Sequence, residues 1–212
     1  SVDKKRQAKN IALCPFLELP WAIPAYKIPL MDDYILNRWD EKTICSVGFA
    51  KWMFDRKDGE KYKDVIGLSK AVSLLDNWRC MLLARDDSVK SMVKDYNPIV
   101  YTSLPTDLFN EYISKCTFLC TACSKNSCYT SDRLCGTIAI AISNCIPLII
   151  DANLLKLYNI PPTACFVYDI DTFNLSMIQN ISFETYRDMS LAMKQYRDTV
   201  FELQRQNWRL LQ

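Results

Sequence analysis

The stretch SDRLCGTIAIAISNCIPLII, residues 131–150, carries a loop, a helix start and a buried strand in immediate succession. Ser131, Asp132 and Arg133 are polar and read as loop. Gly136 and Thr137 open a helix, and Pro147 leads the apolar run Leu148-Ile149-Ile150. A helix start presents free backbone N–H groups and the positive end of the helix dipole, which together attract phosphate. In open α/β sheets ligands sit beyond the carboxyl ends of the strands. This one segment therefore predicts both a doubly wound sheet and a phosphate-binding crevice.

Working outward, the same alternation fills residues 43–168. Strands are expected at Thr43–Phe49 (ending at Gly48), Arg79–Ala84, Pro98–Thr102, Thr117–Thr121, 146–150 and Ala164–Tyr168. Between them fall helices at Lys63–Leu75, Asp86–Lys94, Thr106–Ser114 and 136–143, and a helical turn at Leu154–Tyr158 that Pro161-Pro162 ends. In the first, Val65, Leu68, Val72 and Leu75 share one face, as a 3.6-residue period requires. Strands alternating with helices imply a parallel sheet covered on both sides. The fold expected is α/β: a doubly wound, Rossmann-like, mostly parallel sheet of about six strands.

The two ends differ from this pattern. Residues 10–40 are punctuated by Pro15, Pro20, Pro24 and Pro29 and carry Trp21, Tyr26, Tyr34 and Trp39. Residues 1–42 read as an extended Pro/aromatic arm packed on the domain, with a short strand at Ile11–Cys14. Residues 43–212 form the domain. Its end is a long helix, 183–210, capped by Ser182 with Glu184 in the first turn. Tyr186, Met189, Met193, Tyr196, Val200 and Leu203 make its apolar stripe. At 1.5 Å per residue that helix is roughly 40 Å long. Its distal part, Trp208 to Leu211, is a candidate surface for a partner.

Composition excludes several functions. The chain has 212 residues, half of them hydrophobic, which suits one closed core. With 26 Lys+Arg against 24 Asp+Glu it lacks the basic excess of a nucleic-acid binder. No apolar run reaches the ~18–20 residues that cross a bilayer. The N-terminus, Ser1-Val2-Asp3-Lys4-Lys5-Arg6, has no apolar signal region and no Met, so the chain reads as an excised domain or a processed product. Ten cysteines without a secretory signal point to reduced thiols and a cytoplasmic setting. The absence of histidine removes Ser-His and Cys-His activation and His-bound zinc from this chain. Cys116, Cys120, Cys123 and Cys128 approach zinc spacing, but paired Cys-x-x-Cys knuckles are lacking.

The order of these segments resembles the C-terminal, nucleotide-sugar-binding half of GT-B glycosyltransferases, over about residues 43–212. The strand ending in Gly48 resembles that family's opening strand, and Tyr62-Lys63-Asp64 followed by Leu68 its first helix. Residues Ser131 to Ile149 are similar to its donor segment. Phe183, Tyr186 and Asn207-Trp208 resemble its closing helix, and the style is similar to domains encoded by large DNA viruses. Retaining members carry a pair of glutamates before the proline. Counted back from Pro147, those positions are Asp132, still acidic, and Ile140, which is not. The acceptor half of such an enzyme is missing, so a neighbouring domain or partner chain would supply it.

The resemblance implies transfer of a sugar from a nucleotide-activated donor to a glycan or other hydroxyl acceptor, without a metal or other cofactor. Helix starts, backbone N–H groups and basic side chains would hold the leaving diphosphate. The expected donor-binding residues are Gly48, Lys51, Ser131, Arg133, Gly136 and Thr137, with Arg85 weaker, and Asp132 as the catalytic-site carboxylate. Asp32 and Asp33 are the only acidic pair available in the arm as a base. Two other readings stand beside this one. A non-catalytic nucleotide- or sugar-binding scaffold fits the altered acidic pair. A metal-dependent, GT-A-like transferase would use Asp169 and Asp171, an Asp-x-Asp that follows an apolar strand. A response-regulator-like domain would need a phosphoacceptor carboxylate cluster that is not evident.

Overall fold

A computed structural model describes residues 28, 31–49, 63–124 and 134–211. Six strands form one sheet: β1 (Thr43–Phe49), β2 (Arg79–Ala84), β3 (Ile99–Thr102), β4 (Phe118–Cys120), β5 (Leu148–Asp151) and β6 (Cys165–Tyr168). Their order is β3-β2-β1-β4-β5-β6, and every pairing is parallel. Parallel strands need crossovers, and the described helices supply them. They are α1 (Asp32–Glu41), α2 (Val65–Ser73), α3 (Ser88–Val93), α4 (Thr106–Ser114), α5 (Gly136–Asn144), α6 (Ala152–Leu157) and α7 (Phe183–Leu211). The fold is α/β and Rossmann-like, with the long C-terminal helix that the sequence pattern predicts.

The inner strands β1, β2, β4 and β5 are buried on both faces, which is why they read as unbroken apolar runs; the edge strands β3 and β6 are partly exposed. On one side Cys45, Val47, Met81, Leu83, Leu148 and Ile150 meet Ile113 of α4, Ile138 and Ile142 of α5 and Leu154 of α6. On the other, Ile44, Leu82, Phe118 and Ile149 meet Ile35 of α1 and Val65, Leu68 and Val72 of α2. Helix α7 serves both cores. Tyr186 and Met189 belong to the second, Met193 and Val200 to the first.

Helix α5 has no charged residue and is buried almost throughout. A helix that is apolar all round must lie inside the protein. Its last carbonyls are satisfied by two buried arginines from distant elements. Arg38 of α1 donates to Asn144 O at 2.9 Å and to Ser114 O of α4 at 3.1 Å. Arg197 of α7 donates to Ser143 O at 3.3 Å. Two cations at the negative end of the dipole hold α5 in place by its C-terminus.

Three readings of the sequence change. Residues 32–41 are helix rather than extended arm. Between Pro29 and β1 there is no proline, Asp32 and Asp33 favour the first turn, and Ile35 and Trp39 fall on one face toward α7. The short strand expected at Ile11–Cys14 lies outside the described residues. Helix α6 begins at Ala152, because Asp151 ends β5 and caps the helix at once, accepting from Asn153 N (3.0 Å) and Leu154 N (3.1 Å). Strand β5 begins only at Leu148. Cys145 turns into the left-handed region (φ 52°), and Ile146 N still bonds back to Ala141 O.

Candidate functional site

From β1 the chain winds outward to β2 and β3; from β4 it winds the other way to β5 and β6. The two directions part between β1 and β4. The crevice beyond the carboxyl ends of those strands is where an open α/β sheet takes its ligand.

Strand β1 ends irregularly there. Its register with β2 slips between Val47 and Phe49, and Gly48 takes φ 88°, a conformation that glycine adopts without strain. Residue 63 returns to the same place. Lys63 makes an isolated bridge with Cys123, just past β4, and Asp64 N donates to Ala122 O at 2.7 Å. Asp64 then caps α2, its Oδ1 accepting from Gly67 N at 2.8 Å. This pins Lys63 with its side chain directed inward. Only 2% of it is exposed; Nζ donates to Val47 O at 2.6 Å and to Thr137 Oγ1 at 2.9 Å. An ammonium is thus held between the end of β1 and the first turn of α5.

The start of α5 completes the crevice. Gly136 is exposed, and a Cβ built on it would meet nothing within 4 Å. Cys135, at the N-cap position, is fully buried, and its N–H donates to Tyr158 Oη at 3.3 Å. A hydrogen bond from Cys123 holds the Cys135 thiol below its ordinary range, with help from Lys63 and the amides of Ile138 and Thr137. Burial pushes the thiols of Cys80 and Cys165 up to about 12. Asp151, at the end of β5, is 3% exposed. Its Oδ2 has no hydrogen-bond partner, and burial raises its carboxyl above the usual carboxylate range.

Of the residues singled out in the sequence, Gly48, Gly136 and Thr137 come together here, joined through Lys63. Lys51, Ser131, Asp132 and Arg133 lie outside the described residues. Thr137 differs from expectation: its hydroxyl is buried and accepts from Lys63 instead of lining an open helix start. Asp32 and Asp33 line a groove with Phe183 and Arg187. Helix α1 lies by the amino ends of the strands, where Arg38 meets the last carbonyls of α4 and α5, so this pair stands away from the crevice. Asp169 and Asp171 are exposed beyond β6, the edge strand; Asp169 Oδ1 accepts from Asp171 N at 2.9 Å. Asp171 lines a groove of about 540 Å³ with Asp64 and Lys70 of α2. Among the described residues no three Cys, Asp or Glu side chains are grouped to hold a metal. The eight described cysteines are free and buried. No helix among the described residues is long and apolar enough to cross a membrane.

Lys63, Cys135 and Asp151 were not read as site residues from the sequence. A signal existed for Lys63: a lysine next to a capping aspartate, immediately before the first crossover helix.

No family model matches this chain, and no curated protein matches it. Among solved structures it is similar to the wall teichoic acid polymerase TagF. One TagF structure, soaked with CDPG, shares 12% identity over 84% of this chain and 47% of its own, with a TM-score of 0.31. A second shares 13% over 82% of this chain and 48% of its own, with a TM-score of 0.32. The chain spans about half the length of the solved structures it matches.

Proposed function

We propose that this chain is the donor-binding part of a glycosyltransferase that uses a nucleotide-activated sugar without a metal. One observation carries the reading: the buried Lys63 ammonium, at the switch point of the sheet, fixed to the first turn of α5. Departure of a nucleoside diphosphate develops negative charge on phosphate oxygens. A preorganised ammonium and the positive end of a buried helix stabilise that charge without reorganising. Gly136 leaves the approach to the helix open. Lys51 and Arg133 would add cations, Ser131 a hydroxyl, and Asp132 an acceptor for a sugar or ribose hydroxyl. The acceptor and the base that activates it would come from a neighbouring domain or a partner chain.

The test is calorimetric titration with nucleoside diphosphates, their hexose esters and the unphosphorylated nucleosides, each with and without EDTA. The expected result is diphosphate binding that survives EDTA and is much weaker, though measurable, for the unphosphorylated nucleoside. Binding that needs Mn²⁺ and vanishes in Asp169→Asn/Asp171→Asn would replace this reading with the metal-dependent one.

A binding module without transfer is favoured by one observation: Ile140 packs against the apolar core from the exposed side of α5, where retaining relatives of the resembled family carry a carboxylate. Nucleotide-sugar binding with neither hydrolysis nor transfer, in the presence of acceptor glycans and the missing half, would select it.

A further inference from the structure

We propose that a second ligand site, for a short neutral glycan, lies in a cavity of about 600 Å³ between α1, α4 and the end of α5. That volume is in the range of small-molecule sites. Tyr34, Arg38, Thr106, Asn110, Ser114 and Asn144 line it. Its inner end, at Arg38, lies by the amino ends of the strands, away from the switch-point crevice. The proposal therefore stands or falls apart from donor binding there.

Arg38 is the residue that points to a ligand. It is 3% exposed, and burial pulls its pKa below the ordinary arginine value. A guanidinium carries five N–H donors. Nε donates to Ser114 O and Nη1 to Asn144 O. Among the described residues no group accepts from Nη2, and no carboxylate is paired with the guanidinium. A buried donor without an acceptor costs free energy that a bound polar group recovers. The rest of the wall is as little used. Tyr34 Oη, Thr106 Oγ1 and the Asn110 amide make no hydrogen bond with a described group. Asn144 directs Nδ2 to Ile140 O at 2.9 Å, which leaves its Oδ1 as an acceptor.

This lining mixes donors with acceptors. An anion fits it poorly, because Arg38 stands at the negative ends of α4 and α5. A sugar hydroxyl both donates and accepts. It can take an N–H from Nη2 and give its own to the Asn144 amide oxygen. The Asn110 amide presents a donor beside an acceptor, which matches two adjacent ring hydroxyls. Thr106, Asn110 and Ser114 recur at four-residue spacing along one face of α4, about 6 Å apart. Polar contacts thus continue along the cavity and suit more than one sugar unit. Tyr34 and Ile28, each 39% exposed, offer apolar surface on the same cavity for the C–H face of a ring.

The experiment titrates the whole chain with maltotetraose, cellotetraose and chitotetraose, read by calorimetry and by saturation-transfer NMR. At least one should bind with a Kd in the millimolar range or below. Tyr34→Ala and Asn110→Ala change exposed positions and keep the fold. Each should weaken binding about two- to tenfold, the effect of losing a neutral hydrogen bond. Inorganic phosphate should not compete, and neither should uridine diphosphate, whose expected place is the crevice. Four results would each overturn the proposal: no tetrasaccharide binding at millimolar concentration, wild-type affinity in both variants, displacement by phosphate, or displacement by uridine diphosphate.

Discussion

A lysine is rarely buried without a purpose, because taking its charge out of water costs several kcal/mol unless it is well paired. Lys63 accepts that cost between a strand carbonyl and a threonine hydroxyl. Replacing it with Met keeps an unbranched side chain of nearly the same length and removes the charge. A hydrogen bond to a charged group is worth roughly 1.5–3 kcal/mol. Diphosphate affinity should therefore fall about 10- to 150-fold in Lys63→Met, while affinity for the bare nucleoside stays put. Titration of both ligands checks this, and an equal loss for both would point to disturbed folding. Thr137→Val should act through Lys63, loosening the ammonium it anchors, and should lower stability by about 1–3 kcal/mol in chemical denaturation. The sequence showed that Thr137 opens a helix but not what its hydroxyl meets. The partner is 74 residues away and sits among the charges of residues 51–63, where one lysine looks like another. Cys135 was hidden for a similar reason. A cysteine in an apolar run normally acts as a small hydrophobe, and only its neighbours in space distinguish it.

At the scale of elements, helix α5 is fixed at its far end by arginines rather than by its own sequence. Arg38→Ala would leave the carbonyls of Ser114 and Asn144 buried without donors, and should cost about 3 kcal/mol. Arg38→Lys should recover only part of this, since a point charge cannot reproduce a planar fork reaching two helices. Urea midpoints of the three proteins test both statements. Asp151 offers a sharper separation. Asp151→Ala removes the cap of α6 and should cost about 1 kcal/mol. Asp151→Asn keeps an oxygen for the cap. Because burial raises the folded-state carboxyl above its unfolded value, Asp151 contributes most at low pH, and that contribution is lost as pH rises through the folded pKa. Asp151→Asn should therefore gain stability relative to wild type at neutral pH, and the gain should shrink on acidification below the unfolded carboxylate range. Denaturation curves at the two ends of that window measure it. The elements themselves were legible wherever burial on both faces made a strand a continuous apolar run, as at Thr43–Phe49 and Arg79–Ala84. Helix α1 was not, because the prolines before Pro29 set an extended reading that the next turn no longer obeys.

At the scale of the whole molecule, ligand binding and stability are linked. A diphosphate at a hundredfold excess over its Kd stabilises by about 2.7 kcal/mol. For a chain of this size that raises Tm by roughly 5–10 °C. A thermal scan with and without EDTA should show the same rise in both, and a rise that EDTA abolishes would count against a metal-free site. The doubly wound, parallel architecture was readable from alternation alone, whereas the strand order was seen only in the folded chain. The crevice was readable only by rule, as the space beyond the strand ends. What fills its walls depends on contacts such as Lys63 with Cys123 that no local pattern encodes. The same topology has a consequence in time. Strand β1 lies in the middle of the sheet, and the chain returns beside it for its second neighbour only 74 residues later, at Thr117 just before β4, whose Oγ1 accepts from the Thr43 amide. A nascent chain therefore carries β1 with one ribbon of amides and carbonyls unpaired until β4 has emerged. Closing so long a loop is slow compared with forming local helices. That interval is when a chaperone has most to shield and when a neighbouring copy can most easily pair with the wrong strand.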